Sequence, residues 1–143
     1  MLLTAGVTLL LVAFSALAHY ETLRLCNDYL PRLHWVPGRA KVLLAMGAAF
    51  GSHLAHIAAF AAAYALLHGT ALGSLRGQFT HPWTGFLYFS AETYTSLGFG
   101  DVYPVGEMRL IAGIEALTGL LMIGWTTSFT YLEMRRDWLA RER

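Results

Sequence analysis

The sequence predicts an all-α membrane protein, with three transmembrane helices and a shorter helix that enters the bilayer and returns through a glycine-rich loop. Three observations carry that fold class. Of the 143 residues, 56 % are hydrophobic and only 13 % charged, against roughly 25 % charged in a soluble domain. Three segments approach the length of about 20 apolar residues needed to cross a hydrocarbon core. Between the second and third lies "SAETYTSLGFGDVYP", residues 90–104, where two glycines flank Phe99 and an acid follows at once.

The first span is residues 2–18, which carry no charge. A basic loop over 19–41 is expected to follow. The second span runs from Val42 to about Leu67 and is Ala-rich, and the third from about Leu110 to Thr130. The apolar stretch 82–96 would be roughly 22 Å long as a helix, too short to cross, so it is read as re-entrant. Arg24, Arg32, Arg39 and Lys41 lie between the first two spans and Arg135, Arg136, Arg141 and Arg143 follow the third, whereas Arg76 and Arg109 alone fall between the second and third. The positive-inside tendency then places the N-terminus outside, segment 69–108 outside and the C-terminus in the cytoplasm of a multi-pass cell-membrane protein. Ala16-Leu17-Ala18 has the form of a signal-peptidase site, but no Lys or Arg precedes it, and cleavage would leave the basic 19–41 loop outside. The expected organisation is an N-terminal helix and loop (1–41), a central domain (42–134) and a basic tail (135–143).

Bare backbone at membrane depth is tolerated only where protein buries it or where it lines a watery cavity. Glycine adopts positive-φ conformations that L-residues resist, so alternating Gly with other residues lets successive carbonyls point to one side. A row of carbonyls can replace the water around a cation, and the negative end of the preceding helix favours the same charge.

The run Thr93 to Asp101, followed by Tyr103-Pro104, resembles the selectivity filter of the potassium-channel pore family. The upstream "FLYFSAET" is similar to that family's pore helix, with its aromatic pair as Tyr88 and Phe89, and "RLIAGIEALTGLLMIG" to its inner helix. The resemblance covers roughly residues 42–132 and leaves out the first helix. It implies K⁺ sites at the backbone carbonyls of Ser96, Leu97, Gly98 and Phe99, with the Ser96 hydroxyl closing the innermost one and Gly100 completing the loop. Asp101 caps the outer mouth. Glu92, Tyr88, Phe89 and Thr95 support the filter, and Glu92 is expected to share a proton with Asp101. Ser96 stands where the family usually has Thr, Leu97 where it has Val or Ile, and Phe99 where Tyr is commoner. One chain supplies one carbonyl row, so the resemblance implies a homotetramer.

Gly119 matches the family's hinge position, against a packing role, and Ile123, Thr127 and Tyr131 recur every fourth residue as candidates for the cavity and inner gate. Gly47 and Gly51 form a G-x-x-x-G pair that permits close helix approach or simply faces lipid. Glu115 lies inside the third span, where an ionisable group is usually paired or functional. His53 and His56 share a helical face, and an antiparallel arrangement predicts a Glu115–His56 hydrogen bond with a pH response. Two histidines at this spacing do not by themselves make a metal or haem site.

No segment carries a cation at every third position, so a voltage sensor is not expected, and "RRDWLARER" is too short for a ligand-binding domain. A lone Cys26 excludes an intrachain disulfide. No nucleophile–base constellation, phosphate loop or nucleic-acid patch is present, so the expectation is a non-enzyme without cofactors, whose partners are K⁺, membrane lipids and its own copies. The reading is a potassium-selective passive channel. A weakly selective monovalent cation channel and a non-conducting accessory subunit stay open as alternatives.

Overall fold

A computed structural model describes residues 1–78 and 82–141; Arg143 of the basic tail lies outside them. The chain runs α1 (Leu2–Tyr29), a 3₁₀ turn (Leu30–Arg32), α2 (Gly38–Leu67), β1 (Gly73–Gly77), α3 (Pro82–Tyr94), β2 (Val102–Gly106) and α4 (Met108–Arg141). The three long helices are each long and apolar enough to cross a membrane, and α3, at 13 residues, is not.

One expectation is corrected here. The basic segment 19–41 is mostly helix: α1 continues without a break through Ala16-Leu17-Ala18 to Tyr29. Nothing in 19–29 breaks a helix, and the turn comes where Pro31 and Pro37 remove backbone donors. A pair of short strands adds to the expected helices. β1 and β2 form an antiparallel ribbon, with Leu75 opposite Pro104 and Gly77 opposite Val102. In a two-stranded ribbon every strand is an edge, which is where Pro104 is tolerated. Leu75 and Val102 turn inward, so the ribbon ties the chain before α3 to the chain after the glycine loop.

The buried side of α1 consists of Thr4, Thr8, Ser15, His19, Leu23 and Cys26, while Leu9, Leu10 and Leu17 face outward. That inverts the pattern of a soluble helix. In lipid, apolar side chains gain nothing from hiding, and small or polar residues mediate helix contacts.

Three layers stack along α2. At one end Ala45 packs with Cys26 and Leu30. At the other, Phe60, Ala61 and Tyr64 pack with Phe86, Phe89, Met108 and Ile111. Between them lie Ser52, His53 and His56. Met1 pairs with Glu107, and Thr4 donates to the same carboxylate, which puts the start of α1 at the ribbon end. The Met1 amino group holds that carboxyl below its ordinary pKa. Arg136 reaches Asn27 (2.9 Å) at the opposite end.

Candidate functional site

The glycine loop begins where α3 unwinds. The Glu92 carbonyl accepts from Leu97 N–H at 2.8 Å and from Gly98 N–H at 3.4 Å, closing the helix end and aiming the chain away from it. Beyond that point φ is positive at Ser96 (57°), Gly98 (59°) and Gly100 (80°), at alternate residues. Glycine accepts this region freely, whereas Ser96 occupies it against the usual steric preference. An alternating backbone of this kind is the condition for carbonyls to face one side. The whole stretch Thr95–Asp101 is exposed on the single chain, including Leu97 and Phe99 at 60 and 65 %.

Two contacts hold the loop from behind. Glu92, itself buried, accepts from Phe99 N–H at 3.0 Å. Tyr88 donates its phenol O–H to the Asp101 carboxylate (3.0 and 3.1 Å) and stacks its ring on Phe99, with centroids 6.3 Å apart and planes 6° apart. The expected shared proton between Glu92 and Asp101 is not what the geometry shows. Glu92 accepts from the Phe99 amide, and Asp101 from the Tyr88 phenol and the Val102 amide (3.1 Å).

Phe89 and Thr95, the other two residues expected to support the filter, pack against α2 and close the end of α3 respectively. Phe89 is 3 % exposed and meets Tyr64 edge-to-face at 5.0 Å. Thr95, just past the end of α3, donates its hydroxyl back to the Ala91 carbonyl (2.8 Å).

Glu115 and His56 do not pair, although both are fully buried. Glu115 accepts from Tyr64 and from Ser90, each at 2.5 Å, and Ser90 Oγ also lies 2.8 Å from the Ile57 carbonyl. This network ties α2, α3 and α4. The depth estimate failed because α3 is wedged between the two long helices and sets their register, placing Glu115 level with Tyr64, eight residues along α2 from His56.

Gly119 has a packing reason: a Cβ there would overlap the carbonyl oxygen of Tyr94, at the end of α3. Ile123, Thr127 and Tyr131 form an exposed stripe further along α4, with the Thr127 hydroxyl donating to the Ile123 carbonyl. No atom lies within 4 Å of a Cβ built at Gly47 or Gly51, so the G-x-x-x-G face is uncovered in the single chain.

Tyr64, Ser90, Tyr94, His19 and Thr126 escaped notice in the sequence. His19 fell in a segment read as loop, so its place four residues from Ser15 on one helical face went unused.

No solved structure matches the chain. Residues 53–134, more than half of its length, match the family model described as "Ion channel". That segment contains the second half of α2, all of α3, the glycine loop and most of α4, the parts that build the exposed loop and its support. The chain therefore belongs to the two-helix, potassium-channel-like ion channel family, as a multi-pass membrane protein with an additional N-terminal helix.

Proposed function

We propose that four copies of this chain surround one pore and conduct K⁺ passively, with Ser96, Leu97, Gly98 and Phe99 as the ion-coordinating carbonyls and no catalytic step. The observation that carries this reading is the alternation of positive φ at Ser96, Gly98 and Gly100 at the end of a half-length helix. A single loop covers one side of an ion, so fourfold symmetry is needed to replace its hydration shell. The exposure of Leu97 and Phe99 supports the same assembly, because neighbouring copies would cover them.

Ile123, Thr127 and Tyr131 then line the inner cavity. With the basic ends of α2 and α4 cytoplasmic, the ribbon and Asp101 face outside, and Met1 lies on that side too.

The test is ion flux into liposomes containing only this protein, comparing K⁺ with Na⁺ gradients. K⁺ flux well above Na⁺ flux is expected, with loss in Gly98→Ala, where a side chain at φ 59° is strained by roughly 1–2 kcal/mol in every copy. Equal fluxes would give a weakly selective cation channel. An absence of flux in verified tetramers would leave a closed gate or an accessory subunit.

A further inference from the structure

The middle layer of the helix bundle holds a closed circuit of six polar side chains. His19 Nδ1 lies 3.2 Å from Ser52 Oγ, which lies 3.3 Å from His56 Nε2. His56 Nδ1 lies 2.9 Å from the Tyr94 hydroxyl, which lies 2.8 Å from His53 Nδ1. His53 Nε2 lies 2.9 Å from Thr126 Oγ1, which returns to His19 Nε2 at 3.1 Å. Imidazoles and hydroxyls alternate, and each hydroxyl joins two rings.

One nitrogen from each of the three imidazoles can be chosen so that all lie within 4.8 Å of one another. A tetrahedral zinc-class ion, with metal–nitrogen bonds of about 2.0–2.1 Å, needs its ligand atoms about 3.4 Å apart. Drawing the three rings together by less than about an ångström each meets that geometry.

The hydroxyls supply what a metal site needs around it. Three imidazoles carry six nitrogens; an ion takes three, and the hydroxyls of Ser52 and Thr126 remain as partners for nitrogens it does not take. A ligating histidine is held in tautomer and orientation by such a partner on its second nitrogen. Neutral imidazole is also the ligand that suits zinc, copper and nickel.

We propose that His19, His53 and His56 form a binding site for a divalent transition-metal ion of the zinc class, lying outside the ion path and joining α1 to the end of α3. Tyr94 Oη is within 2.9 Å of nitrogens on both His53 and His56, so the fourth position falls to this oxygen. Binding as phenolate breaks the O–H bond, forms the metal–oxygen bond and releases one proton to solvent, which removes one unit of charge from the buried site. His19 and His56 are fully buried, while His53 is partly exposed and with Thr126 lines a groove of about 400 Å³ between Met46, Gly47, Phe50 and Thr130.

Tyr94 ends the helix that carries the glycine loop, and its carbonyl abuts Gly119. Occupancy therefore acts on the segment that enters the filter. That consequence rests on the channel reading; the binding itself does not, and it is assayed without flux.

The test uses the full-length, tag-free protein, stripped of metal in detergent. Cobalt titration is expected to give the intense visible bands of tetrahedral Co²⁺, saturating at one ion per chain. X-ray absorption of the Zn²⁺-loaded protein is expected to count three imidazoles and one oxygen. His19→Gln and His53→Gln are expected to lose the bands, and His34→Gln, outside the circuit, to keep them. Fewer than three imidazoles in the wild-type protein would overturn the proposal whether or not the variants fold. So would undiminished Co²⁺ bands in variants that elute as the wild-type protein does.

Discussion

Phe99 N–H and Glu92 illustrate how much one acceptor carries in a loop with few contacts of its own. The Glu92 carboxylate accepts from that amide at 3.0 Å, and once neighbouring copies cover the loop as proposed, leaving the donor unmatched costs about 1–3 kcal/mol. Glu92→Ala is therefore expected to abolish flux or reduce it at least tenfold. Glu92→Gln keeps an acceptor at the same place and is expected to retain most of it. Flux in the two variants, compared at equal amounts of assembled protein, checks this; equal loss in both would mean that charge, not acceptance, is what the loop requires. At the same scale, Tyr64→Phe removes one of the two hydroxyls that meet Glu115. A buried carboxyl stripped of one partner is expected to destabilise the fold by about 1–3 kcal/mol, read as a lower melting midpoint in detergent with flux at low temperature unchanged.

At the scale of elements, α3 is the piece on which the rest is registered. Its end touches α4 at Gly119, and its Ser90 meets both the Ile57 carbonyl and Glu115. Gly119→Ala would push a methyl into backbone that cannot move aside as a flexible side chain can. Overpacking of this kind costs typically 1–3 kcal/mol, and here it is expected to displace the filter as well. Thermal denaturation and K⁺/Na⁺ flux ratio should fall together; a variant of normal stability and normal selectivity would show that the contact is slack. The ribbon is the element least visible in the sequence, because five-residue strands bounded by glycines, one of them containing a proline, show no clear alternation. It forms because Leu75 and Val102 can both reach the apolar layer beneath it.

For the whole molecule, the distribution of charge makes a directional statement. The ribbon, Met1 and Asp101 share one end, and Arg135 and Arg136 mark the other. On the proposed orientation, a cysteine replacing Arg76 is expected to react with an impermeant maleimide in intact cells, and one replacing Arg135 only after permeabilisation. Cys26 is buried and should contribute little background. The reverse labelling would invert the topology without touching the fold. Native mass spectrometry should find four chains of 15.8 kDa each in the smallest stable assembly.

Hydropathy, span length and the Gly98-Phe99-Gly100-Asp101 string were enough to establish the membrane class, the half-length helix and the loop that carries the family resemblance. These are local properties, set by water's absence from the bilayer core and by glycine's freedom at positive φ. What Glu115, Tyr94 and the histidines touch was decided only by the tertiary structure. Helical periodicity tells which residues share a face but not the axial register between two helices, and here that register is set by a third helix wedged between them. The same reason hid His19: its partners, Ser52 and Thr126, are 33 and 107 residues away along the chain, and only the packing of α1 against α2 and α4 brings them within hydrogen-bonding distance.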